Sequence, residues 1–427
     1  MCRDLETRLM RPRSPQPRLA SANRLLRGCA IAVACVFGTT RASAAEPSDG
    51  RPRVALFGDS AADGEALTWL TASLAPSAVV ATGEDADVAV VLRGPGAPGS
   101  AGAAAFARFL ARPLPLVLLA AEPNGWPGGA ADLSALVGAA PGEPFAMGEA
   151  PLVLSDYGHP ITTGAAEPAV PRPLRLWSAL AADTFVLQEA TAGEATAPLA
   201  WMRKGAARRL VHLAAVTPAT LREASARRLV TQAVWWAAGR PVPGAQPYAQ
   251  RTVLPDAHPG SFAVTFPEGV GAGLDPVRGG INFLWAGEFA DLRPRWLTKQ
   301  GAPARLDGPV WYREPAEPAW RTAAGGPAAT WRFRGHATRA GAPEFHAEIA
   351  GRRVTEHLTA MPDGRGLSRH FTVGPGRQPL WLRLAPQAGI RIEVTGAQRE
   401  GEHAGFTAEA GGEFTVRLLR VDGEVVR

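Results

Sequence analysis

Three groups of side chains stand where chemistry could be done. Asp59, Ser60, Asp63 and Glu65 follow the first aliphatic run, Arg53–Phe57. Clustered oxygens of this kind can bind a sugar hydroxyl or a hard cation such as Ca2+. The same acids also suit a helix N-terminus, where the dipole favours negative charge. Glu122, Asn124 and Trp126 follow a later run, Pro115–Ala120. There Trp126 could stack on a sugar ring while Glu122 and Asn124 bond its hydroxyls; the alternative is a surface loop shaped by Pro123, Gly125 and Pro127. His159, ahead of Pro160, could act as a base or ligand, or could fix a turn by hydrogen bonding. His212, among apolar neighbours, reads as a core residue.

The other candidates are more diffuse. Six of the eight histidines (His258, His336, His346, His357, His370 and His403) fall in the last part of the chain, without H-x-H or H-E-x-x-H spacing. They read as surface residues on strands, and neither a metal nor a cofactor is expected. Six of the twelve tryptophans lie there too: Trp285, Trp296, Trp311, Trp320, Trp331 and Trp381. A planar row would make a carbohydrate platform, whereas core packing is the default for aromatics in a sandwich. Arg332, Arg334, Arg352, Arg353 and Arg369 could form an anion-binding face or a solvated, ion-paired one. The three cysteines, Cys2, Cys29 and Cys35, all precede Ala42-Ser43-Ala44. Beyond them no thiol nucleophile, thiolate metal site, disulfide or covalent haem attachment is available.

The first 44 residues read as a secretory signal. Arg18, Arg24 and Arg27 precede a short apolar stretch, residues 28–38, and Ala42-Ser43-Ala44 is an A-x-A cleavage site, giving cleavage before Ala45. The apolar stretch is too short to span a bilayer. Export to the periplasm or beyond is therefore expected, with no transmembrane segment after cleavage. A lipidated Cys35 is the weaker alternative, because Ala32-Val33-Ala34 is a poor lipobox. The same leader holds eight arginines against Asp4 and Glu6, which accounts for the whole net charge of +6. The remainder is neutral, so a nucleic-acid partner loses its main physical argument.

Length and texture suggest two domains joined near residue 240. In residues 50–240, aliphatic runs alternate with helical stretches. Strands are predicted at Arg53–Phe57, Ala78–Ala81, Asp87–Leu92 and Pro115–Ala120, then at Phe185–Gln188, Pro198–Met202 and Arg209–Ala214. Helices are predicted over Glu65–Ala75 and Gly102–Arg112. A last helix has Thr217 as N-cap, Pro218 at N1 and a stop at Gly239, its stripe formed by Leu221, Ala224, Leu229, Ala233, Val234 and Ala237. Alternation of this kind implies a doubly wound α/β sheet. Residues 241–259 carry five prolines and read as a linker. Residues 260–427 alternate apolar with polar residues at Trp331–Ala337, Glu344–Ile349, Trp381–Leu384, Ile390–Val394 and Phe414–Leu418. Asp363-Gly364 and Asp422-Gly423 serve as turns. An antiparallel β-sandwich is the expected product.

Two segments of the first part resemble ThuA-like proteins, a branch of the class I glutamine amidotransferase-like fold. One is Asp156–Gly164 (DYGHPITTG), similar to the family's HPIT-G element. The other is Ala197–Gly239, where APLAWMRKG, a strand and a helix ending in VWWAAG follow the family's order. The resemblance covers roughly residues 50–240 and implies a flavodoxin-like sheet and a loose association with sugar metabolism. The family's catalytic positions do not carry over. A class I glutaminase places its cysteine on a tight elbow after a central strand; here Ala121-Glu122-Pro123 follows the corresponding strand. The Ser-His pair frequent in ThuA-like proteins is replaced by residues 122–126, and a Gly-His after the penultimate strand by Ala215-Val216-Thr217. Gly280–Gly308 resembles a segment of secreted bacterial proteins that also carry cytochrome or sugar-related domains, although C-x-x-C-H is absent.

The expectation is an exported protein with a flavodoxin-like doubly wound sheet followed by an antiparallel β-sandwich. Its function is that of a non-catalytic or degenerate module binding carbohydrate or a protein partner. Two alternatives stand beside it. One is a glycoside- or sugar-modifying enzyme using Asp59, Glu122 and His159; the other is a structural component of a cell-surface assembly.

Overall fold

In the computed structural model, the described residues are 50–421, apart from 82–84, 94–100, 127–128, 146–151, 157, 165–173, 193–194, 206–207, 298–300 and 340. The leader and Asp422-Gly423 lie outside them. Architecture is mixed α/β with strand predominating.

The buried aliphatic runs become the centre of one large sheet. In chain order its part of the molecule contains β1 (Arg53–Phe57), α1 (Ser60–Leu74), β2 (Val79–Val80), β3 (Val88–Leu92), α2 (Ala101–Leu110), β4 (Leu116–Leu119), α3 (Gly129–Val137), β5 (Ala140–Phe145), β6 (Leu152–Ser155), β7 (Leu174–Ser178), β8 (Thr184–Ala192), β9 (Ala195–Lys204), β10 (Arg209–Leu213) and α4 (Ala224–Ala237). The strand order is β2-β1-β3-β4-β10-β9-β8-β6. From β2 to β10 the strands run parallel. Along β3, Val88, Val90 and Leu92 join the cluster beneath α1 and α4, whereas Ala89 and Val91 join the one beneath α2 and α3. Helices on both faces explain why these strands read as unbroken aliphatic runs.

The other half of the sheet departs from the doubly wound expectation, because β9, β8 and β6 are antiparallel. Ala192 and Ala195 are too close in sequence for a parallel crossover, which needs a dozen or more residues. The last helix also starts later than predicted. Thr217 and Pro218 lead into a 3-10 turn, Thr220–Arg222, and α4 opens at Ala224. Thr217 N–H donates to Thr220 Oγ1 (2.8 Å) and Thr220 N–H donates to Thr217 Oγ1 (3.2 Å). These reciprocal bonds satisfy the backbone locally instead of capping α4. Ala224 is exposed, and the buried stripe starts at Ala226.

The proline-rich segment 241–259 is not wholly irregular, since it contains β11 (Tyr248–Arg251). There follow β12 (Phe262–Phe266), β13 (Val270–Asp275), β14 (Gly280–Ala286), β15 (Ala290–Asp291), α5 (Arg293–Leu297), β16 (Arg305–Leu306) and β17 (Val310–Arg313). The order β11-β12-β13-β14-β17 makes a five-stranded antiparallel sheet. Next come β18 (Trp320–Arg321), β19 (Trp331–Arg339), β20 (Ala342–Ile349), β21 (Arg352–Ala360), β22 (Gly366–Val373), β23 (Leu380–Arg383), β24 (Ile390–Thr395), β25 (Gln398–Glu400), β26 (His403–Phe406) and β27 (Gly412–Arg420). They form a four-stranded sheet, β18-β23-β26-β25, and a six-stranded one, β19-β20-β21-β22-β27-β24. Asp363-Gly364 turns β21 into β22, and Gly364 takes φ +68°. One cluster, with Val264, Leu284, Trp320, Phe371, Leu382 and Val416, joins all three sheets.

Buried clusters take up several of the residues proposed for surface recognition, while Trp331 is only partly buried and the Trp296 side chain lies outside the described residues. Trp285 and Trp320 are fully buried, and Trp311 and Trp381 nearly so. They form no platform; their rings are worth more as apolar area removed from water. Arg352 and Arg369 are buried as well, on the opposite side of the sheet from exposed Arg332, Arg334 and Arg353. The five arginines therefore share no common face. Arg369 is matched by Glu356 (2.6 Å) and Glu314 (2.9 Å).

Candidate functional site

The parallel strands end on one rim, and a cleft of about 590 Å3 lies there. One wall is α1, with Ala62, Glu65, Ala66 and Trp69. The floor is Arg93 after β3 and Ala120 and Glu122 after β4. The far wall is Thr217, Pro218, Ala219 and Arg222 after β10. Sheets of this kind bind ligands at the carboxyl ends of their strands; here both walls, α1 and the turn leading into α4, stand on the same face of the sheet.

The floor is bent. Arg93 (φ +58°) and Ala120 (φ +42°) both take left-handed backbone conformations. Such residues cost about 1–3 kcal/mol each and persist only where the surroundings over-determine them. Here the determinant is the ladder: Arg93 N–H donates to Leu119 O (2.8 Å), Ala120 N–H to Leu213 O (3.1 Å) and Glu122 N–H to Arg93 O (2.7 Å).

Each charged group in the cleft is oriented by an opposite charge. The Arg93 guanidinium lies 3.2 Å from buried Asp63, whose other oxygen accepts the Asp59 N–H (3.2 Å). Arg222 lies 3.4 Å from Glu65 and over the Trp69 ring, 5.3 Å from its centroid. Glu122 accepts two N–H bonds from Arg175 on β7, at 2.8 and 3.2 Å. Guanidinium donors, carboxylate acceptors and one aromatic face thus share a neutral crevice. Among the described lining residues none is a cysteine, serine or histidine.

The structure separates the residues singled out from sequence. Glu122 lines the cleft. Asp59 is exposed and does not line it, and the Ser60 side chain lies outside the described residues although its backbone opens α1. Asn124 is exposed on the 3-10 turn Pro123–Gly125. Trp126 is 4% exposed and meets Phe106 edge to face at 5.2 Å, so core packing, not sugar stacking, holds its ring. His159 is fully buried. Its Nδ1 accepts the Ile161 N–H (3.1 Å), and its ring packs on Trp236 and Phe289. Burial pushes its pKa down to about 3, so it stays neutral, as a turn-fixing residue would and a solvent-reached base would not. His212 is likewise buried between Trp177 and Trp201 and lowered by burial to about 3.

A second charged cluster lies sealed between the large sheet and the β14–β16 region. Lys204, the last residue of β9, reaches Asp307 (2.5 Å) and Glu288 (3.0 Å). Trp236 Nε1–H donates to Glu288, Trp285 Nε1–H to Asp307 (3.2 Å), and Glu288 N–H to Asp307 (3.2 Å). Burial raises both carboxyls, but Lys204 and Arg209 outweigh it at Glu288, which falls to about 2. At Asp307, burial and the charge of Glu288 prevail over Lys204, and the group rises to about 6. Arg305 adds donations to Ala182 O and Thr184 O and stacks over Phe185 at 3.9 Å. This cluster joins two sheets, and of Lys204, Glu288 and Asp307 the lysine is the most solvent-accessible, at 19%.

No family model matches this chain, and no curated protein does. Among solved structures, one described as a ThuA-like protein from Parabacteroides merdae ATCC 43184, determined at 1.75 Å, aligns at 11% identity. The alignment covers 49% of this chain and 95% of that one, with a TM-score of 0.32. No helix among the described residues is long and apolar enough to cross a membrane.

Sequence reasoning missed Trp69, Arg93, Thr217 and Arg222. The available signal was position: Arg93 directly follows an aliphatic strand, as Glu122 nearly does, and strand carboxyl ends are where ligands sit. Trp69 stands next to Leu70 of the buried stripe, so its half-exposed ring was legible only once the helix was placed.

Proposed function

We propose that this chain is an exported, non-catalytic ThuA-like module that binds a carbohydrate in the α/β cleft. The parallel strands follow the order of flavodoxin-like sheets, whose ligands sit where strand order reverses, here between β1 and β3. The antiparallel sheets that follow suit a β-sandwich. The observation that carries the reading is the cleft's make-up. The partly buried Trp69 gives the cleft apolar ring surface beside Arg222, and Arg93, Arg222, Glu65 and Glu122 offer donors and acceptors for a sugar's hydroxyls. Neutral polyols need both kinds of partner at once, and the balanced charge disfavours a strongly ionic ligand. The bend that would present a nucleophile carries the methyl group of Ala120.

A thermal-shift screen of the full chain against mono- and disaccharides tests this. A ligand that binds only the folded state adds about 2.7 kcal/mol at a hundred times its Kd. A saturable rise with a sugar, lost in Trp69→Ala, supports carbohydrate binding. No rise with any sugar overturns it and turns attention to a protein partner, sought by pull-down from the periplasm. Turnover of a sugar, abolished by Glu122→Gln, would show an enzyme instead.

A further inference from the structure

Three arginines meet residues of the cleft, and they are held to different degrees. Arg93 lies 3.2 Å from Asp63, a carboxylate only 2% exposed. Arg175 grips Glu122 through two N–H bonds, at 2.8 and 3.2 Å. Arg222 has the loosest side chain: its partner Glu65 stands 3.4 Å away, and both are 67% exposed. The backbone beneath that side chain is fixed. Arg227 Nη1–H donates to Leu221 O (2.8 Å) and to Arg222 O (2.6 Å), which pins the 3-10 turn that Arg222 ends. A firm base thus carries a movable arm.

Glu65 and Trp69 stand one turn apart on α1, hence on the same helical face. Arg222 reaches both: it pairs with Glu65, and its guanidinium lies 5.3 Å from the centroid of the Trp69 ring. Trp69 also packs against the buried cluster beneath α1 and α4. The indole therefore rests on the core with the guanidinium laid over it. We propose that Arg222 is a movable cover on the cleft's aromatic face, which a sugar ring must displace before it stacks on Trp69, and that it sets how tightly neutral sugars bind there. This rests on the carbohydrate reading of the cleft.

Displacement meets little resistance. An exposed ion pair is screened and weak, and 3.4 Å is longer than a well-formed hydrogen bond. A guanidinium on an exposed ring is held less firmly than a desolvated one. A pyranose presents the indole with a C–H face, and its hydroxyls can donate to Glu65 once Arg222 has moved. Swung aside, Arg222 can still donate to a hydroxyl, but at 67% exposure that bond competes with water and adds little. Arg93 cannot move in the same way, because its departure would leave Asp63 buried without a counter-charge.

Acrylamide quenching of tryptophan emission from the full chain tests the cover. Arg222→Ser should raise the quenchable fraction, and combining it with Trp69→Phe should abolish that rise. Arg222→Lys, which keeps the charge without the planar group, should fall between Arg222→Ser and the parent. Any sugar of the thermal-shift panel that binds the parent should bind Arg222→Ser roughly two- to fivefold tighter. A residue that served only as a sugar contact would weaken binding on removal. Melting midpoints close to the parent's confirm folding, as expected for a side chain 67% exposed. Unchanged quenching, or weaker sugar binding by Arg222→Ser, overturns the cover. If quenching rises as expected and neither the parent nor Arg222→Ser binds a sugar, the carbohydrate reading fails while the cover itself stands.

Discussion

At the cleft, Glu65 and Arg222 are each two-thirds exposed, and Glu122 is 45% exposed beside Arg175. At the sealed cluster, Asp307 is wholly buried, Glu288 nearly so, and Lys204 is 19% exposed. The side-chain chemistry is alike; water is what differs. Exposed pairs are screened and contribute little, so the cleft keeps charges that can trade partners with a ligand. Buried charges cannot trade, because removing one strands the others in a medium that solvates them poorly. The contrast teaches that an ion pair's distance says less about its role than its access to solvent.

The largest expected effect comes from breaking the sealed cluster. Lys204→Met strands Glu288 and Asp307 and should cost about 3–5 kcal/mol, read as a fall in the urea midpoint. Adding Glu288→Gln and Asp307→Asn should restore part of the loss. A Lys204→Met cost as small as that of a surface pair would collapse the distinction.

Acid titration comes next. His159 and His212 titrate near 3 in the folded chain and near 6.5 when unfolded, so the stability they confer is complete above 6.5 and is lost as pH falls toward 3. Asp156, raised mainly by burial, and Asp307 both titrate near 6, against 3.8 unfolded, and work the other way. The folded chain takes up these protons first and gains stability as pH falls from about 6 to 3.8. The melting midpoint should therefore change little between pH 6 and 4 and drop below that, where Glu288 also begins to lose its contribution. His212→Phe should gain on the parent steadily from pH 6.5 downward; parallel curves for the two would refute the assignment.

The cleft should respond weakly. Glu122→Gln is expected to change stability by less than about 1 kcal/mol in the same urea experiment. Smallest, and opposite in sign, is Ala120→Gly: glycine accepts φ +42° without strain, so stability should hold or rise by up to about 1 kcal/mol.

Much of the α/β half was legible, because strands buried on both faces advertise themselves. Arg53–Phe57, Asp87–Leu92 and Pro115–Ala120 were placed to within a residue or two of β1, β3 and β4. The antiparallel turn back at β8–β9 was not, since an aliphatic strand carries no mark of its neighbour's direction. Trp126 misled for a related reason. Its loop sits at a strand's carboxyl end, but the ring points back into the core, and sequence shows position without orientation. Glu122 and Arg175 meet although 53 residues apart, and no local pattern could pair them.

The left-handed bend at Ala120 is held by the backbone ladder, through Ala120 N–H to Leu213 O, against the strain its Cβ adds. Scaffold and reactivity can thus vary separately at this position. An alanine codon lies a single nucleotide from a serine codon, so a lineage carrying this chain could lose or regain a nucleophile at that bend without rebuilding the sheet around it. The geometry is a slow variable and the chemistry a fast one.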